Sequence, residues 1–226
     1  MKKNFLYIAA AAVLGFSSCV ELDRIPLEEL SDGSFWKSAT DAEMAVSDLY
    51  PSLPSIYEID DAINSDDAVH GIKWAAGNVS KGIYDPLDMG WSGSYGAIRQ
   101  ANVILSKIDE VPNYETADKN KVLGQTYFFR AFHYFDLIRT FGDVPYIDKP
   151  LTLADQEGIT RAPRAEVYSK MMADFDKAIE MVPATKDAYS ARVTKWVALA
   201  MKSRAALFEG TWRKYHGMQD AEKYLQ

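Results

Sequence analysis

A chain of 226 residues that is 48% hydrophobic and 12% aromatic holds enough apolar material for one well-filled core, which excludes a disordered chain. Its net charge of −7 and pI near 5.0 provide no clustered basic footprint for phosphate backbones, so no nucleic-acid partner is expected. The single cysteine excludes an intramolecular disulfide and a cysteine-based metal site, so its place in the chain must account for it.

In chain order, Lys2 and Lys3 precede an apolar run of 12 residues, Phe5 to Phe16, and then Ser17, Ser18 and Cys19. Basic, apolar and small segments in that order are the layout of a secretory signal, and the run is shorter than the ~20 residues that a membrane-spanning helix needs. Small residues before a lone cysteine resemble a lipobox, with Phe16 where that motif usually carries an aliphatic residue. The reading is a signal peptide over residues 1–18 and a mature chain over 19–226 fixed to a membrane by lipid on Cys19. A plain secretory signal with an incidental cysteine is the alternative. Two or more acyl chains, each contributing ~0.8 kcal/mol per buried methylene, would hold such a protein stably. Cleavage leaves 208 residues with 23 basic against 32 acidic side chains, a net −9.

Beyond Cys19 no sustained strand-type alternation occurs, whereas helical spacing recurs, so an all-α fold is predicted. A first helix is predicted from Thr40 to about Tyr50, with Thr40 and Glu43 as a capping box and Ala42, Val46 and Leu49 on one face. Pro51 and Pro54 stop it. A second runs from about Ser94 to Ile108, with Ile98, Ala101, Leu105 and Ile108 at three- and four-residue steps. A third, Asp118 to Phe141, is apolar nearly all round and must be buried on several sides, with Gly142 as a left-handed C-cap. A fourth opens near Pro163 and ends at Pro183, and a fifth, alanine-rich, spans Thr194 to Phe208 and is closed by Gly210. A sixth begins near Gly217 with Met218, Ala221 and Leu225 on one face and no later partner, from which a truncated or partial chain is expected. The predicted architecture is stacked α-hairpins of tetratricopeptide type with a long irregular loop.

That loop, Pro51 to Gly93, is rich in Gly, Asp, Asn, Ser and Pro and carries Tyr57, Trp74, Tyr84 and Trp91. Connections of that length in a packed domain are usually functional. A sugar ring presents an apolar C–H face and a belt of hydroxyls, so its binder needs a flat aromatic platform beside a few fixed polar groups. Trp91 is the first candidate platform, among Gly90, Gly93 and small serines that leave room for a ligand; a core anchor is the competing reading. Trp74 and Tyr84 are reserve platforms, with Asp66, Asp67, Asn78 and Arg99 as hydroxyl partners. Asp66 and Asp67 also fit a solvated turn.

Catalytic signatures are weak. The three histidines form no metal-binding pair, and His133 reads as a satisfied core histidine. Arg130, His133, Asp136 and Arg139, at three-residue steps, read as one structural polar edge with an Asp136–Arg139 ion pair. The stretch Gly90 to Ser94 lacks the last glycine of a nucleophile elbow. No enzyme activity, metal or cofactor is expected.

Five stretches in order, FWKSATDAEMAVSDLY from Phe35, YGAIRQANVILSKID from Tyr95, GQTYFFRAFHYFDLIRTFGDVP from Gly124, RAPRAEVYSKMMADFDKAIEMVP from Arg161 and ARVTKWVALAMKSRAALFEG from Ala191, together with the lipoprotein start, resemble the N-terminal half of the SusD/RagB family. The resemblance implies a surface lipoprotein of the outer membrane that captures oligosaccharide or polysaccharide for a SusC-like, TonB-dependent barrel transporter. It also implies a chain about twice this length, with part of the binding surface in the later half. The runner-up reading is a membrane-anchored helical-repeat scaffold for protein partners.

Overall fold

The computed structural model describes residues 35–54, 90–186, 191–218 and 220–224. Cys19, Asp66, Asp67, Trp74, Asn78 and Tyr84 therefore lie outside the described residues, as does the signal segment.

Five α-helices carry the described part: α1 (Ala39–Ser47), α2 (Trp91–Lys107), α3 (Thr116–Phe141), α4 (Arg164–Met181) and α5 (Lys195–Tyr215). Each packs on the next from α2 onward, and α1 lies against α2 and α3, giving the expected stack of α-hairpins. The only β feature among the described residues is an isolated bridge between Val144 and Ala162. None of these helices is long and apolar enough to cross a membrane.

The core follows the apolar periodicity. Ala42, Val46 and Leu49 of α1, Ala97, Ile98, Ala101 and Ile104 of α2, and Val167, Met171, Phe175 and Ala178 of α4 are buried. Helix α3 buries Val122, Phe128, Phe129, Tyr134, Leu137 and Ile138 on several sides, as a helix without a polar face must. At Gly124 the α3 backbone meets the end of α4 so closely that a Cβ there would sit 2.8 Å from Val182 Cγ1 and 2.9 Å from Met181 Cβ.

Several boundaries differ from the sequence expectation, each for a local reason. The capping box of α1 is made by Ser38 and Asp41, not Thr40 and Glu43: the same spacing occurs two residues earlier, and Ser38 N donates to Asp41 Oδ2 at 2.7 Å. Helix α2 starts at Trp91 rather than Ser94, because Gly90, at φ 83°, ends the preceding segment and its carbonyl accepts from Ser94 N at 3.0 Å. Gly142 has a positive φ of 71° but a ψ of −112°, outside the left-handed helical basin and accessible only to glycine. Helix α5 runs through Gly210 to Tyr215 because Glu209, fully buried, pairs with Arg213 at 2.7 Å and Arg164 at 2.6 Å. The Arg164–Glu209 contact is off the hydrogen-bond line and acts as an ion pair. Arg213 also reaches Asp220 at 2.8 Å, so the last turns of α5 are tied to their surroundings and glycine's weak helix propensity is overruled. Of the expected sixth helix the described residues form one short 3-10 turn, Ala221–Tyr224, whose Ala221 is buried and whose Tyr224 ring meets Tyr168 edge-on at 5.5 Å; Leu225 lies outside the described residues.

The four polar residues of α3 do not form one edge. Arg130 points into the core, where Nε and Nη2 donate to Asp174 Oδ2 and Oδ1 at 2.7 and 2.8 Å and Nη1 donates to Asn102 Oδ1 at 2.8 Å. Asn102 in turn donates to Ile147 O at 2.9 Å, so one knot joins α2, α3, α4 and the segment after α3. Burial works against the Arg130 cation, and the hydrogen bonds and charge of Asp174 outweigh it, so its pKa is raised. Asp136 and Arg139 do form their ion pair, at 2.8 Å.

Candidate functional site

The described residues on either side of 55–89 reach the same place. Pro54 and Gly90 line a groove of about 460 Å³ together with Ser52, Gly93 and Ser94, the α3 residues Phe132, His133, Phe135, Asp136 and Arg139, and Met201 and Arg204 of α5. Phe132, Asp136 and Arg139 fall at four- and three-residue steps, so the helical repeat of α3 supplies one wall. The start of α2 supplies the other with two glycines and a serine, and a Cβ at Gly93 would meet nothing within 4 Å among the described residues.

His133 is buried and its pKa is pushed down to about 4, chiefly by burial, with the Asp136 charge acting the other way. Its Nε2 lies 2.8 Å from Ser52 Oγ, while that hydroxyl donates its own hydrogen to Leu49 O at 2.6 Å. The hydroxyl proton being committed, His133 must donate from Nε2, and Ser52 is the acceptor. A serine nucleophile needs the opposite arrangement, with the hydroxyl donating to the imidazole, so this Ser–His pair is a structural clamp. Among the described residues no group of His, Cys, Asp and Glu converges as a metal site.

Trp91 stands next to the groove without lining it. Its ring lies 4.9 Å from Tyr95 and 4.9 Å, edge-on, from Phe141, and the Arg161 guanidinium is 5.7 Å from it. Tyr95 donates to Pro145 O at 2.7 Å, fixing the far side of the cluster. Trp91 is half-buried, so it anchors the start of α2 against the end of α3 and keeps part of its surface accessible. Arg99 is exposed further along α2 and does not line the groove. The groove residues that sequence reasoning missed are Ser52, Arg139 and Arg204, which helix packing alone brings together; the small residues Gly90, Gly93 and Ser94 were the legible part.

A second groove of about 560 Å³ lies over α1 and α3, lined by Glu43, Asp118, Lys121, Gln125 and Arg192 among others. Its charges are largely committed to one another: Lys121 pairs with Asp118 at 2.6 Å, and Arg192 bonds Ser47 Oγ at 2.6 Å with Glu43 3.6 Å away.

Stacked helical hairpins with a groove between their described residues define a tetratricopeptide-like scaffold. Residues 35–207 match the SusD-like family model described as starch-binding and associating with the outer membrane, and the chain belongs to that family. It is 29% identical to SusD-like protein P2 of Formosa agariphila over 226 residues, covering 94% of this chain and 44% of that relative. Among solved structures it is similar to a SusD-like protein from Bacteroides fragilis NCTC 9343, with 28% identity and a TM-score of 0.69 over 84% of this chain and 39% of that one. A laminarin-binding SusD-like protein matches with 26% identity and a TM-score of 0.67 over 77% of this chain and 41% of that one. The chain thus spans less than half the length of these relatives.

Proposed function

We propose that this chain belongs to a non-catalytic glycan-binding lipoprotein of the outer membrane, held by lipid on Cys19, that captures oligosaccharides and delivers them to a SusC-like, TonB-dependent barrel transporter. The observation that carries the reading is the convergence of Pro54 and Gly90, the two ends of the aromatic-rich segment, on the rim of one open groove. In this reading Trp91, Trp74 and Tyr84 supply aromatic platforms and Asp66, Asp67 and Asn78 are hydroxyl partners, while Arg99, away from the groove, meets only a glycan long enough to extend along α2. Membership of the SusD-like family and the laminarin binding of a similar protein support it.

A second reading, a helical scaffold for protein partners, draws on α5, where Trp196, Val197, Leu199 and Leu207 are exposed. Affinity electrophoresis in gels containing neutral and charged polysaccharides separates the two. Retardation by at least one polysaccharide supports glycan capture; mobility unchanged in every gel rejects it and leaves the scaffold reading. For the anchor, Cys19→Ala should release the protein from membranes or leave its precursor uncleaved, and unchanged fractionation with normal processing would refute lipidation.

A further inference from the structure

Among the described residues of the groove, one cation is left without a counter-charge. Asp136 is the one carboxylate among its described lining residues, and it is already paired with Arg139 at 2.8 Å. Arg204, exposed on α5, lines the same groove and has no ion pair among the described residues. His133 is neutral above about pH 4, and the Ser52 hydroxyl is committed to Leu49 O and His133. Among the described lining residues Asp136 neutralises Arg139, so Arg204 is the cation left without a carboxylate partner.

Sugar hydroxyls both donate and accept, and are matched by a mixture of carboxylate and amide partners such as Asp66, Asp67 and Asn78 supply in the glycan-binding reading. A guanidinium with no carboxylate beside it matches a group that only accepts, and its planar fork fits a carboxylate or a sulfate in two-point contact. Among the described residues, the wall at Gly90, Gly93 and Ser94 leaves such a substituent room to reach it.

Resting on the glycan-binding reading, the geometry points to an anionic glycan as the ligand class. Arg204, with Arg139 in the same groove, recognises a carboxylate or sulfate substituent, and the open α2 wall admits the sugar that bears it.

The full chain should be run by affinity electrophoresis in polygalacturonate, dextran sulfate and laminarin gels, as wild type, Arg204→Ala and Arg204→Lys. Since the protein is itself acidic, bulk charge opposes polyanion binding, and retardation by a polyanion reports a specific site. The expected result is retardation by one polyanion, weakened in about 0.5 M NaCl. Arg204→Ala should lower that affinity about 10- to 100-fold, as loss of a charge-assisted hydrogen bond does. Arg204→Lys should retain part of the binding, and the melting temperature should not move. Binding to polygalacturonate assigns a carboxylate, and binding to dextran sulfate a sulfate. Binding to laminarin alone, or polyanion binding that Arg204→Ala leaves intact, overturns the inference while glycan capture stands. Binding to none of the three overturns it as well, and neutral or branched glycans beyond these then decide the fate of the broader reading.

Discussion

Arg130 and Arg204 occupy opposite kinds of environment. Arg130 is buried and all of its nitrogens have partners, in Asp174, Asn102 and the carbonyl of Asp148. Arg204 lies in the groove without an ion pair among the described residues. A buried charge that is fully paired fixes the fold and has nothing left to offer a ligand, whereas an accessible and unpaired one costs little in stability and stays available for binding. Residue type alone does not separate the two roles; the partners do.

The largest expected effect breaks the buried side of this contrast. Asp174→Ala leaves the Arg130 guanidinium buried without its carboxylate and should cost ~3–5 kcal/mol, measured by urea unfolding. Replacing both partners by apolar residues should cost much less, since no charge is then stranded. Equal losses in the single and double variants would show that packing, not the charge pair, carries the energy.

His133 sharpens the contrast at the groove floor. Its folded pKa, about 4, lies below the ordinary histidine value of 6.5, so the unfolded chain binds the proton more readily. Stability should therefore be complete above pH 6.5 and fall as the pH drops from there toward 4, by on the order of 2–3 kcal/mol from this residue. His133→Gln should remove that part of the acid sensitivity, leaving only the slope due to carboxylates. Identical pH profiles for the two proteins would contradict the buried, neutral state.

Trp91 lies between the two regimes, part core and part surface. Losing its contacts with Tyr95 and Phe141 should cost ~1–3 kcal/mol, less than for a fully buried tryptophan. A simultaneous fall in glycan affinity would assign its exposed part to the platform role, and unchanged affinity would leave it an anchor only.

The helices were legible in the sequence because their apolar spacing is local, and α3 announced its burial by having no polar stripe. The end of α5 was not, because Gly210 reads as a stop and only the contacts of Glu209 with Arg164 and Arg213 overrule it. The polar edge on α3 failed for a related reason: three-residue steps drift around a 3.6-residue helix, so Arg130 faces α4 while Asp136 and Arg139 face the groove. The small residues Gly90, Gly93 and Ser94 marked one wall of the groove in advance. Arg204 gave no signal, since its position in an alanine-rich helix says nothing of the α3 residues that tertiary packing sets around the same groove.

The most direct test of the central claim, that this groove receives the glycan, is to fill it. Gly93 lies in the first turn of α2, exposed, and a Cβ there would meet no atom within 4 Å among the described residues, so Gly93→Trp fits without backbone strain. Affinity for the retained polysaccharide should be measured beside the melting temperature for wild type and Gly93→Trp. The expected result is at least about a tenfold loss of affinity, equivalent to ~1.4 kcal/mol, with stability changed by no more than ~0.5 kcal/mol. Full affinity in a correctly folded Gly93→Trp protein would contradict it.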